Sequence, residues 1–190
     1  MRHLKVLVLL LIIGLFAACV PAVEVFDPRE GARAFTLNVD GRTIEADGSI
    51  HRYHTDVFEI DFELGRRFIR MELVNGADST MRLHLDRSAV VLPDGSSSRL
   101  VSGRTSWATR DDPQAPIVIP TAAKASESLI PRTNLTFSSA RGLQMHPMFE
   151  WPLEARTVIR VILALEVGDE ITEVSFTFEG RPLPEEDVEA

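Results

Sequence analysis

The chain has 190 residues, a formal net charge of −8 and a single cysteine. That length is ample for one domain and thin for two. The acidic balance repels nucleic acid, and one cysteine leaves no intramolecular disulfide to hold the fold.

Residues 1–19 read MRHLKVLVLLLIIGLFAAC. Arg2 and Lys5 make a positive start, Val6 to Phe16 form an apolar core, and Ala17-Ala18 place small residues before Cys19, the pattern of a secretory signal. The apolar run is shorter than the roughly 20 residues a spanning helix needs, which argues against an uncleaved anchor. Leu15-Phe16-Ala17-Ala18-Cys19 resembles the lipobox of bacterial lipoproteins. The resemblance implies a cleaved signal peptide, residues 1–18, and a fatty-acylated, palmitate-bearing Cys19 at the mature N-terminus. It also implies attachment to a membrane through that lipid. Val20 stands where lipoproteins kept at the inner membrane commonly carry aspartate, so the resemblance further implies the periplasmic face of the outer membrane. Cleavage by an ordinary signal peptidase is the alternative. Loss of residues 1–18 removes Arg2 and Lys5 and no acid, so the remaining 172 residues carry −10.

Residues 19–33 hold Pro21, Pro28 and Gly31 without sustained periodicity, which predicts a tether. From Ala34 the pattern turns β. Phe35, Leu37 and Val39 alternate with polar residues, and Asp40-Gly41 offers a hairpin turn. Three runs follow between Phe58 and Leu92. Phe58, Ile60, Phe62 and Leu64 alternate with acids; Ile69, Met71 and Leu73 share one face; and Met81, Leu83 and Leu85 share another, the period-two pattern of half-buried strands. Asn75-Gly76 and Pro93-Asp94-Gly95 are turn signals. The expectation is an antiparallel meander whose wet face carries Glu59, Asp61 and Glu63 opposite Arg70 and Arg82, a solvated sheet face rather than a carboxylate active site.

Arg99 to Val101 reads as a further strand, and Ser102 to Ser126 as a long connection holding one short strand, Ile117 to Ile119. Trp107 in that connection is expected to plug onto the core. Ser128 to Ile130 and Thr133 to Phe137 read as strands flanking Pro131. Gly142 to Pro152 then concentrates Met145, Met148, Phe149 and Trp151 with no period. The last pair is regular, with Ile159 to Val167 and Val174 to Phe178 joined through Gly168-Asp169. Residues 181–190 are acidic and proline-bearing and predict a flexible tail.

Eight to ten short strands and no amphipathic helix predict an all-β fold, a single antiparallel β-sandwich over residues 34–180. The strand, Asn75, strand, Pro93-Asp94-Gly95 and late hairpin spacing resembles the immunoglobulin-like domains of secreted and lipid-anchored bacterial proteins. The predicted core comprises Phe58, Ile60, Phe62, Ile69, Met71, Leu73, Leu83, Leu85, Ile159, Val161, Leu163, Phe176 and Phe178.

Chemistry is sparsely signalled. His51 and His54 are close in sequence, but an i, i+3 pair does not share a face on a strand, and the usual zinc spacings are missing. No Gly-x-Ser-x-Gly elbow, Ser-x-x-Lys pair or glycine-rich phosphate loop occurs. No catalytic residue, metal or cofactor is assigned. The expected function is therefore a non-catalytic binding or assembly module of the cell envelope, its partners the membrane, through lipid, and another envelope protein. The alternative is a small-molecule-binding protein or enzyme with a site in the loops at one end of the sandwich. Met145, Met148, Phe149 and Trp151 are the candidate contact residues; their bland reading is that they close the core.

Overall fold

The computed structural model describes residues 27–183. Cys19 and the other expected features of residues 1–26, with residues 184–190 of the acidic tail, lie outside the described residues. The first element is one that the sequence reading did not foresee, a helix α1 over Pro28–Ala34. The Asp27 carboxylate accepts the Arg29 N–H at 2.8 Å, and Pro28 sits in the first turn, where no N–H is needed. Ala32 and Ala34 are buried beneath it. Two inward alanines make no apolar stripe, which is why the periodicity missed this helix.

Strands β1 (Phe35–Val39) and β2 (Arg42–Ile44) form the first hairpin. Asp40 and Gly41 both take positive φ, 49° and 77°, as a tight two-residue turn between twisted strands requires. The last hairpin, β13 (Thr157–Val167) and β14 (Glu170–Gly180), is the longest ladder, and β1 pairs antiparallel with β14. The other edge of β13 is shared by two short strands, β6 (Met81–Leu83) near its end and β7 (Ala89–Val91) in its middle, with β9 (Ile117–Ile119) beyond β6. The opposing layer runs in the order β8 (Ser97–Ser102), β10 (Lys124–Pro131), β5 (Ile69–Asn75), β4 (Phe58–Leu64) and β3 (His51–His54). The β7–β8 pairing carries the ladder from one layer to the other. The result is an all-β antiparallel sandwich approaching a barrel. A separate hairpin, β11 (Leu135–Ser138) and β12 (Gly142–Met145), lies off this path.

All thirteen predicted core residues are buried between the layers. Phe62 meets Phe176 and Phe178 edge-on at centroid distances of 4.9 and 5.5 Å, which joins β4 to β14 across the interior.

The expected meander is half right. β4 pairs β5 residue for residue, and Arg70 bonds Glu63 at 2.8 Å on the wet face. β6, however, crosses to the other layer, so Arg82 meets Glu166 of β13 and none of the β4 acids. The crossing turns on Asn75. Its fully buried amide donates to Ser79 O at 2.8 Å and to Ile119 O at 2.9 Å, while its oxygen accepts the Ala77 N–H at 2.9 Å. An asparagine that a period-two reading takes for a hairpin corner is here a buried staple between connections. The third run also breaks, because Leu85–Arg87 is a 3-10 turn before β7, although Leu85 stays buried. Fourteen strands are found among the described residues, more than the eight to ten expected, since β3 and β12 lacked a pattern long enough to read and the third run splits into β6 and β7. The expected flexible tail is docked at its start: the Arg181 N–H donates to Ala34 O at 2.9 Å, and Leu183 packs against the core.

Candidate functional site

The four candidate contact residues separate. Met148 and Phe149 are buried, Phe149 tilts against Phe35 at 5.2 Å, and Trp151 is half-buried against the same cluster. The segment is held by backbone, with Met148 N–H donating to Arg66 O at 2.7 Å and Arg66 Nε donating to Phe149 O at 3.2 Å. These three residues close one end of the sandwich. Met145 differs: it lies on β12 and is exposed.

The register of the small hairpin places Leu135 opposite Met145 and Phe137 opposite Leu143, so all four side chains share one face. Leu135 is buried with Val101, Ile130 and Phe68 in a second, minor core on the outer surface of the β8–β10–β5 layer. That end of the hairpin is docked. The other end overhangs, leaving Phe137 and Leu143 at 52% and 46% exposure, while Met145, opposite the docked Leu135, is still 37% exposed. Between overhang and sheet lies a cleft of about 430 Å³ lined by Phe68, Ile130, Leu135, Leu143 and Met145 on its apolar side. Gly103, Arg104, Thr105, Ser126, Glu127 and Ser128 contribute its polar lining. The long connection Ser102 to Ser126 and the segment Gly142 to Pro152, which holds the candidate contact residues, thus both reach this cleft.

Trp107 does not plug the main core as expected. It is half-buried, stacked on Phe137 at 6.0 Å with the Arg110 guanidinium 3.1 Å from its ring centre, and so props the overhanging hairpin against the long connection.

One carboxylate faces this cleft from a nearly dry position. The Glu127 side chain is only 8% exposed, and Arg104 Nε, the cation beside its Oε2, stands 3.9 Å away, beyond hydrogen-bond reach. Its Oε1 accepts the Ser128 N–H at 3.0 Å. The neighbouring cations are engaged elsewhere, Arg70 with Glu63 at 2.8 Å and Lys124 with Glu72 at 3.0 Å. Glu72 is held below the usual carboxylate range by the Lys124 and Ser126 hydrogen bonds.

The remaining polar clusters read as structure. On the wet face of β3 and β4, Arg52 bonds Asp61 through two nitrogens at 2.8 Å each, a solvated charge pair whose cation is neither of the two arginines expected there. His51 and His54 point to different environments. His51 is fully buried, with Nε2 2.9 Å from Phe35 O and the ring edge-on to Phe178, whereas His54 is exposed. Burial pushes the His51 pKa down. On the other layer, Glu166 is bonded by Arg82 and by His84 at 2.6 Å, and these bonds, His84's foremost, hold its carboxyl low. Ser88, one turn beyond His84, is committed to backbone, donating to His84 O at 2.8 Å and accepting the Ala164 N–H at 3.1 Å. Among the described residues no group of three or more His, Cys, Asp or Glu side chains is placed to hold a metal, and no helix is long and apolar enough to cross a membrane.

No family model, curated protein or solved structure matches the chain.

Proposed function

We propose that this protein is a non-catalytic binding module of the bacterial cell envelope, lipid-anchored at Cys19 on the periplasmic face of the outer membrane, that engages another envelope protein through the hairpin cleft. The lipobox-like run Leu15 to Cys19 supports the anchor, and the spacing shared with immunoglobulin-like domains of lipid-anchored proteins supports the class. The observation that carries the binding site is the overhang of β11–β12. Of the six large apolar residues exposed among the described residues, Phe137, Leu143 and Met145 share this one hairpin, whose Leu143 and Met145 line the cleft, whereas Val57, Val118 and Ile171 lie on three different segments. Exposed apolar groups concentrated on one element mark contact surfaces more often than scattered ones do.

The small-molecule reading draws on the same cleft, which mixes apolar walls with a few polar groups. The exposed Phe137 lies outside the cleft lining and extends the apolar surface beyond it, which favours a protein occupant.

Two measurements test the proposal. Mass spectrometry of the mature N-terminus is expected to find acyl groups on Cys19; a retained Met1 or a free thiol there overturns the anchor. A photoreactive residue at position 143 is expected to crosslink an envelope protein in intact cells, and Met145→Ser is expected to abolish that adduct while the same probe at exposed Arg160 gives none. An adduct unchanged by Met145→Ser removes the cleft as the contact. Substitutions at Phe149 or Trp151 are unsuitable probes, because they open the core.

A further inference from the structure

The backbone at the rim of this cleft has an unused edge. Gly103 N–H donates to Ser128 O at 2.7 Å, so Ser128 directs its backbone groups away from β5. In an antiparallel ladder alternate residues bond to alternate sides, and Ser126 and Lys124 therefore point the same way as Ser128. The β8 strand pairs with β10 only from Leu129 to Pro131. At Gly103 the chain leaves the sheet, and a turn with the Thr105 N–H on Ser102 O at 2.9 Å carries it away. The strand position that β8 would occupy beside Ser126 and Lys124 is vacant, and both residues are exposed. The Ser128 N–H, at the end of that edge, is covered by the Glu127 carboxylate.

Resting on the reading of the cleft as a protein-binding site, we propose that its occupant is an extended segment of the partner that adds as a strand to the β10 edge at Lys124–Ser126 and places a lysine or arginine against Glu127. Three features on the molecule converge on this. The open edge supplies backbone hydrogen bonds, the common currency of strand addition. Phe68, Leu143 and Met145 supply apolar walls for side chains of the added strand. Glu127 supplies a nearly buried carboxylate with one oxygen lacking a hydrogen bond, while Arg70 and Lys124 are already paired. Arg104 is 83% exposed and free to swing out as the incoming cation arrives. The net negative charge, −8 for the chain and −10 without residues 1–18, draws a basic segment toward the surface at longer range.

The test uses the full chain in detergent micelles and a capped heptapeptide alternating valine and threonine with a central lysine. Two companion peptides carry a central glutamate or N-methylated alternate amides. The lysine peptide is expected to slow amide hydrogen exchange across 124–128 and to bind about tenfold or more tighter than the glutamate peptide, the difference a charged hydrogen bond makes. N-methylation is expected to abolish the protection. Glu127→Gln is expected to bring the lysine and glutamate peptides to equal affinity with an unchanged unfolding temperature. Leu143→Ser, on the exposed hairpin and away from the main core, is expected to weaken every peptide alike. Absence of protection by the lysine peptide, or equal binding of the N-methylated one, overturns strand addition. If either occurs while the Met145-dependent crosslink from position 143 persists, the cleft remains the contact and only the strand mode fails; if the crosslink is also absent, both readings fall.

Discussion

His51 shows what a single buried titratable group does to this fold. Nε2 lies 2.9 Å from Phe35 O, whereas Nδ1 has no hydrogen-bond partner and is sealed from solvent. The neutral ring with Nε2–H donating to Phe35 O fits this environment; a second proton on Nδ1 would add an unpaired buried charge. Desolvation by burial therefore holds the folded pKa below the ordinary 6.5, against weaker upward pulls from the Phe35 carbonyl and Glu45. The unfolded chain then binds the proton more readily than the folded one, so the contribution is intact above pH 6.5 and is lost as pH falls below it. Urea-unfolding midpoints are expected to start falling near that pH, ahead of the carboxylates, and His51→Gln is expected to flatten this first step. A variant that declines in parallel with the native chain through that window would show that another group is responsible.

At the scale of elements, the described glycine beyond α1 with the tightest surroundings is Gly180, where β14 ends. A Cβ built on Gly180 would stand 2.5 Å from a Phe35 ring carbon and 2.7 Å from Leu153 Cδ1, distances that real atoms do not share. Gly180 pairs with Phe35 on one side and Thr157 on the other, so the strand cannot step aside without breaking two ladders. Gly180→Ala is expected to lower stability by about 1 to 3 kcal/mol, the usual cost of overpacking, readable as a shift in urea midpoint. An unchanged midpoint would mean that this end of the sandwich gives way. Gly180 also marks the limit of reading strands from pattern. Long alternating runs such as Phe58 to Leu64 and Ile159 to Val167 were legible because period two records burial directly. The identity of a strand's neighbour is not in its own pattern: β6 alternates as β4 does, yet joins the opposite layer. Likewise Leu143 and Met145 alternate over only four residues, too few to distinguish from the irregular, core-closing segment that follows. The cleft was legible only as two suspicious segments, and their meeting depended on Leu135 docking onto Ile130 and Phe68, a contact no local signal announces.

For the whole molecule, the continuous path of strands from β2 to β3 makes the two layers one cooperative unit. The β7–β8 pairing joins them along one side, and on the other β3 meets β1 through the bond between His51 and Phe35 O. Between the layers the Phe62, Phe176 and Phe178 rings interlock. With a single cysteine in the chain, cohesion rests on this core and its ladders. Phe62 of β4 and Leu163 of β13, both fully buried, sit in opposite layers. Truncating either to alanine removes apolar contacts and leaves a cavity, at a cost of about 2 to 5 kcal/mol. Because the layers share one core, each variant is expected to shift a single transition, seen at the same urea concentration by far-ultraviolet circular dichroism and by tryptophan fluorescence. Trp107 reports on the overhanging hairpin and Trp151 on the closed end, so the two probes sample different regions. Separate transitions, with Phe62→Ala moving one and Leu163→Ala the other, would show that the layers unfold independently and that the β7–β8 crossing does not couple them.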